Sequence, residues 1–260
     1  MATTIFFITY LFYTISLSYF VSIWFIPLWM IVTYPLGFLS VMLVYYLHIP
    51  IVLILKPTHP YKTYLLRSIS FFLNKFIFGL DIEYKGQDNI PKDVPLVVYA
   101  NHKSYSDAFP ILQVFNRPIT FSPKLSISRL PFISLYLRSY RAFFIDRKNI
   151  RHTAKSLTFA IDTIKSGMAL IVFPEGSVKY REDETVSKMK AGSFKLALKS
   201  QANILPIRID GLDRVRDNFP FKRTKRKVTI LKAIPYEDYK DMSTIEIAKV
   251  VMDHINNYNN

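Results

Sequence analysis

His102 and Asp107 stand five positions apart, directly after the apolar run Leu96-Val97-Val98-Tyr99. Their types suit proton transfer. An imidazole can take a proton from a hydroxyl, and a carboxylate on its other ring nitrogen fixes the tautomer and stabilises the cation that forms. Regular structure cannot bring these two side chains together. On a helix they would lie roughly 140° apart around the axis, and on a strand an odd separation sends them to opposite faces. Contact needs a bend, as where a strand runs into a loop and then a helix. The plain alternative is a surface histidine followed by an aspartate that caps the next helix. Ser104 and Ser106 lie between the pair, but the nucleophile elbow G-x-S-x-G is absent, which argues against a serine hydrolase.

A second stretch, Phe173-Pro174-Glu175-Gly176-Ser177, follows another apolar run farther along the chain. Together the two stretches resemble the sequence blocks of the glycerolipid acyltransferase family, specifically the 1-acylglycerol-3-phosphate (lysophosphatidate) acyltransferases. The family's first block, N-H-x-x-x-x-D, is matched from Asn101 to Asp107, and its third, F-P-E-G-[TS], from Phe173 to Ser177. Its second block ends in a hydrophobic pair, an acid and an arginine, as in Phe144-Ile145-Asp146-Arg147, and its proline-containing fourth is matched by Ile204-Leu205-Pro206-Ile207. Any one block would be weak; four in order across residues 95–210 are specific. Two positions depart from the pattern. The glycine that usually opens the second block is replaced by Arg141 or Ala142, and Val178 stands where an arginine usually follows the third, with Lys179 or Arg181 close enough to supply the charge.

The resemblance implies transfer of an acyl group from acyl-ACP or acyl-CoA, as co-substrate, to the sn-2 hydroxyl of 1-acylglycerol 3-phosphate, giving phosphatidate. His102 would be the base and Asp107 its orienting partner. Arg147, Glu175, Gly176 and Ser177 fall at the family's acceptor-binding positions, with Glu175 expected to bond an acceptor hydroxyl or anchor a basic neighbour. Lys124, after a strand, and Lys190, opening Lys190-Ala191-Gly192-Ser193-Phe194, are further candidates for the acceptor phosphate, although each is also one lysine in a lysine-rich chain. Gly176 marks a backbone position that needs positive φ or close approach of a ligand. Pro206 reads as structural. The departures leave room for another lysophospholipid or glycerol 3-phosphate as acceptor. A reading of a different class is a non-catalytic, membrane-tethered basic binding protein. No cofactor is expected, since no nucleotide fingerprint is present, and no metal site is expected, since the remaining histidines show no ligand spacing with carboxylates.

Positioning these residues calls for strands that end in loops. Strand candidates are 96–100, 119–122, 142–146, 169–173, 204–209 and 228–233, alternating with amphipathic helices marked by Ala154, Leu157, Ile161 and Ile164, by Phe194 to Leu198, and by 245–255. Such alternation predicts an α/β fold, a mixed, largely parallel sheet flanked by helices, with sites where strand ends lead into helices. Residues 64–80 place Leu65, Ile69, Phe72 and Phe76 on one helical face, suiting either a membrane-interface helix or a core helix. The chain therefore divides into a hydrophobic two-helix membrane anchor (1–56), an interfacial amphipathic helix and link (57–85) and the acyltransferase domain (86–260).

From Met1 to Leu55 there is no Asp, Glu, Lys or Arg. About 20 apolar residues span a bilayer, so this stretch has room for two passes, or for a hairpin dipping into one leaflet. Helices over 4–26 and 36–55 are expected, with the turn at Pro27, Pro35 and Gly37 and with Trp24 and Trp29 near it. A cleaved signal peptide is not expected, because the basic n-region is missing. The cations that follow (Lys56, Lys62, Arg67) argue for a cytoplasmic catalytic domain on an integral or monotopic membrane protein. The formal charge of +15 all lies beyond Leu55. It points to anionic bilayer surface, phosphorylated lipid or acyl carrier protein as partners, and no nucleic-acid-binding pattern accompanies it. The densest basic run, Lys222 to Lys227, reads either as a solvated hairpin turn or as a phosphate-gripping patch. The absence of cysteine removes thiolate chemistry and disulfides.

Overall fold

The computed structural model describes residues 1–104, 106–144, 150–176, 185–211, 215–218 and 222–258. The chain divides into two compact units, Met1–Lys56 and Pro57–Asn260. The first holds α1 (Ala2–Phe20), α2 (Ile26–Leu47) and α3 (Ile49–Ile54). The second runs through α4 (Pro60–Phe72), β1 (Leu80–Lys85), β2 (Leu96–Ala100), α5 (Ala108–Val114), β3 (Ile119–Phe121), α6 (Pro131–Ser139) and α7 (Ile150–Lys165). It continues with β4 (Ala169–Val172), α8 (Lys195–Ser200), β5 (Asn203–Asp210), α9 (Val215–Asn218), β6 (Thr224–Ile230) and α10 (Thr244–Asn256).

In the first unit α1 and α2 form a helical hairpin, but its turn is not where the prolines suggest. It falls at Val21 and Ser22, and the Ser22 hydroxyl accepts from Trp24 N–H. Pro27 sits in the first turn of α2, where its missing N–H costs nothing, and Pro35 lies inside that helix. Gly37 takes the edge of the Phe6 ring, where a Cβ would come within 3.2 Å of it. Hydroxyls across the seam bond one another, Thr14 to Thr33 at 2.7 Å and Tyr13 to Ser40 at 3.1 Å. Each hydroxyl has one proton, so one of Thr14 and Thr33 donates across the seam while the other donates to the carbonyl four residues back; Ser40 donates to the Leu36 carbonyl and accepts from Tyr13. The segments 2–20 and 23–54 are long and apolar enough to cross a membrane, and little of either is buried within the fold.

In the second unit, six strands among the described residues form one sheet in the order β1-β6-β5-β2-β4-β3. All neighbours are parallel except β5 and β6. Strands β2 and β4 are buried along their whole length, as a parallel sheet covered on both faces requires. Side chains alternate between two cores. Val97, Tyr99, Leu170 and Ile204 meet α7, α8 and α10 on one face; Leu96, Val98, Ile171 and Leu205 meet α5 on the other, where partly buried Leu66 of α4 joins them. This is the expected α/β architecture, with differences in detail. The described part of the expected strand 142–146 has no strand assignment, and the rest of it lies outside the described residues. Conversely, 80–85 enters the sheet as β1. Its charged residues face the basic run in register, Asp81 opposite Lys225 and Glu83 opposite Lys227, so Thr224–Lys227 of that run starts β6 instead of turning in a hairpin, with Lys222 and Arg223 just before it. Opposite charges on adjacent strands stabilise such pairing.

Helix α4 carries Leu65 and Phe72 into the core. Lys62, counted above among the cations that follow the hydrophobic segment, is buried: its Nζ donates to the Ser139 carbonyl at 2.7 Å and lies over the Tyr140 ring, while the Tyr140 hydroxyl donates to the Lys62 carbonyl. Burial lowers its pKa to about 8.

Candidate active site

Strand β2 ends at Ala100, and the next residue locks the loop in place. The Asn101 side chain donates to the Ile209 carbonyl at 2.8 Å and accepts from Ile209 N–H at 2.7 Å, imitating one further rung between β2 and β5. The chain then bends, and His102 Nδ1 faces Asp107 Oδ2 at 3.2 Å. That oxygen also accepts the backbone N–H groups of Lys103 and Ser104, both at 2.7 Å. Asp107 occupies the N-cap position of α5 but makes no side-chain cap bond to that helix. Its carboxylate turns back toward His102, which decides against the simple capping alternative. The Asp107 side chain is 2 % exposed and that of His102 14 %, so the carboxylate is sealed while the ring keeps an open edge. With Nδ1 occupied, Nε2 is the nitrogen available to a hydroxyl.

The third block closes on this loop from β4. Strands β2 and β4 are parallel neighbours with Tyr99 opposite Val172. Continuing that register past the strand ends sets His102 level with Glu175. Accordingly Glu175 Oε1 accepts the backbone N–H of His102 at 2.9 Å, and the Phe173 ring stacks on the imidazole with centroids 4.1 Å apart. Gly176 adopts φ +79°, and a Cβ there would run into Nζ of Lys190. The ammonium of Lys190 is therefore folded against the glycine, and its backbone N–H bonds the Pro174 carbonyl at 2.9 Å. The turn that carries Lys190 is held from below by the Tyr99 hydroxyl, which donates to the Ser193 carbonyl, and by Tyr99 stacking on Phe194.

His102, Asp107, Glu175, Gly176 and Lys190 thus converge at the C-terminal ends of β2 and β4. Lys124 stands exposed after β3, the strand beyond β4, and among the described residues no hydrogen bond or ion pair links it to the pair. Arg147 and Ser177 lie outside the described residues, as does Asp146. Three contacts have no counterpart in the sequence reading: Asn101 with Ile209, Glu175 with the His102 backbone, and Phe173 on the His102 ring. The last two follow from aligning the ends of adjacent parallel strands. Ser104 Oγ bonds Ser106 Oγ at 2.9 Å and accepts Ser106 N–H, so neither serine is shown joined to His102. Among the described residues no group of three or more His, Asp or Glu side chains is placed to hold a metal ion.

A sequence model described as Acyltransferase matches residues 81–210, half of the chain, and includes all five convergent residues. The chain belongs to the acyltransferase family. This acyltransferase is 29% identical over 184 residues to the 1-acyl-sn-glycerol-3-phosphate acyltransferase of Saccharomyces cerevisiae, a match covering 70% of this chain and 60% of that one. It is 31% identical over 135 residues to the enzyme of the same name from Borreliella burgdorferi, covering 52% and 53%. The matches therefore span little more than half the length of these curated relatives. Among solved structures, the acyltransferase is similar to the 1-acyl-sn-glycerophosphate (LPA) acyltransferase PlsC from Thermotoga maritima. That likeness has a TM-score of 0.62 and 27% identity, over 76% of this chain and 79% of that one.

Proposed function

We propose that the chain is a membrane-bound lysophosphatidate acyltransferase, moving an acyl group from a carrier thioester to the sn-2 hydroxyl of 1-acylglycerol 3-phosphate. The observation that carries this is the His102–Asp107 contact, with Nδ1 occupied and the ring edge open. In this scheme Nε2 takes the hydroxyl proton while the oxygen attacks the thioester carbonyl. Asp107 stabilises the imidazolium; the carbon–sulfur bond then breaks, and the departing thiolate takes that proton. No covalent acyl-enzyme is required, since holding donor and acceptor together suffices for direct transfer. The acceptor phosphate would be met by Lys190, whose position against Gly176 supports the assignment, together with Arg147, Ser177 and Lys124. Glu175 acts on the protein side, fixing the His102 backbone. The donor is acyl-CoA or acyl-ACP.

The apolar surface of the α1–α2 hairpin supports a bilayer location, and the basic second unit suits its cytoplasmic, anionic face. There the acceptor would enter without drawing its acyl chain through water, which costs about 0.8 kcal/mol per exposed CH₂.

The test is phosphatidate formation by the purified full chain, with each donor and with lysophosphatidate or glycerol 3-phosphate as acceptor. His102→Ala should lower turnover by about 10²–10⁴-fold, the usual worth of a positioned general base, while the protein stays folded and lipid-bound. Unchanged turnover would sink the reading. Preference for glycerol 3-phosphate would move the enzyme to the neighbouring acceptor class.

A further inference from the structure

Helix α6 and Leu130 just before it carry an exposed apolar surface that the chemistry above leaves unused. Leu130 is 46% exposed, Phe132 55%, Ile133 49% and Leu135 40%. Lys124, Arg129 and Arg138 are exposed around them. No Asp or Glu occurs between Asp107 and Asp146, so no acidic side chain of the local sequence offsets these cations. Large apolar side chains ringed by cations are the composition of a surface that enters the boundary between lipid headgroups and acyl chains.

The helix is firmly seated on its other side. Ser134 and Ser139 are buried, Tyr136 stacks on Tyr140, and Lys62 ties the Ser139 carbonyl to α4. The exposed residues are thus presented on a fixed support. Their place in the fold is also specific. Helix α6 follows β3, which runs parallel to β4 and so ends on the same sheet edge as β2 and β4. That edge carries the His102 and Glu175 loops.

We infer that the exposed face of α6 is a second membrane-contacting surface, separate from the hairpin, which docks on anionic lipid. It turns the catalytic edge of the sheet toward the plane from which a lipid acceptor arrives. The orienting purpose rests on the acyltransferase reading, whereas the docking itself does not. Anionic lipid is favoured over a protein partner because the face pairs apolar bulk with Lys124, Arg129 and Arg138 in a local sequence without acids.

The chain has no cysteine, so single cysteines can report on chosen sites. The full chain is placed in nanodiscs of phosphatidylcholine with phosphatidylglycerol, carrying a polarity-sensitive fluorophore on Ile133→Cys or on Ile245→Cys. Ile245 is 72% exposed at the start of α10, which follows the end of β6. Because β6 is antiparallel to β5, that end lies on the opposite sheet edge. The label at 133 should emit as in an apolar medium and be quenched at least threefold more by lipid-borne nitroxide than by aqueous iodide. The label at 245 should behave in the reverse way. Discs of phosphatidylcholine alone should lower the nitroxide quenching at 133 severalfold. Water-like emission at both positions would overturn the docking, and equal quenching in the two kinds of disc would overturn the preference for anionic lipid. Neither readout depends on turnover, so failure here and failure of the proposed activity are distinguishable.

Discussion

Glu175 and Asp107 carry the same charge but act on different parts of His102, one on its backbone N–H and the other on its ring. The imidazole is thereby fixed in position and in rotation, with Phe173 against its face. Lys190 is placed less rigidly. Its ammonium rests where a side chain on Gly176 would go, so the glycine sets where the charge stands. Alanine at 176 would meet two penalties. The left-handed φ of +79° disfavours any Cβ by about 1–2 kcal/mol, and the new methyl would push the flexible lysine end aside. Gly176→Ala should therefore lower the melting temperature only slightly. It should raise KM for lysophosphatidate about tenfold, the worth of about 1.4 kcal/mol of phosphate contact, with a smaller change in kcat. Steady-state kinetics on a folded sample decide it, and an unchanged KM would remove Lys190 from the phosphate site.

Which elements were legible depends on whether their signal was local. Strands β2 and β4, buried on both faces, read directly as short apolar runs. Strand β1 has no apolar run: Leu80, Ile82 and Tyr84 alternate with Asp81, Glu83 and Lys85, a period-2 pattern masked by the helical spacing of Leu65, Phe72 and Phe76 that runs up to it. The charged start of β6 was hidden because its partner is β1, and a pairing across so much sequence has no local trace. The His102–Asp107 contact spans one bend and was readable, whereas the Asn101 and Glu175 bonds depend on strand register. Lys62 is the clearest case of burial overriding composition. Its pKa of about 8 lies below the usual 10.5, so between those values the unfolded chain holds a proton that the folded chain has released. Stability contributed by Lys62 must then rise with pH across that window, by at most about 1.4 kcal/mol per pH unit, and be smallest below pH 8. Thermal unfolding of the parent and of Lys62→Met in detergent should show the parent gaining on the variant from pH 8 to pH 10. A constant difference would mean that Lys62 keeps its proton in the folded chain.

The whole chain separates its two means of meeting a bilayer. All formal charge lies beyond Leu55, and the stretch before it exposes a long series of large apolar side chains, including Phe12, Ile15, Phe20, Ile31 and Leu43. The two contributions respond differently to salt. Attraction of lysine and arginine to anionic lipid is worth about 1 kcal/mol per residue close to the surface and reaches only about one Debye length, which shrinks from roughly 10 Å at 0.1 M salt to 3 Å at 1 M. Transfer of a large apolar side chain out of water is worth about 1.5–3 kcal/mol when complete, and salt does not screen it. With five or more such side chains on the hairpin, the apolar term persists when the charge attraction is screened. Full-length protein reconstituted into vesicles should therefore stay with the lipid pellet in 1 M NaCl, while quenching of the label at position 133 falls as the cations around α6 are screened. Release of the protein by salt would show that charge holds it and that the hairpin does not enter the bilayer.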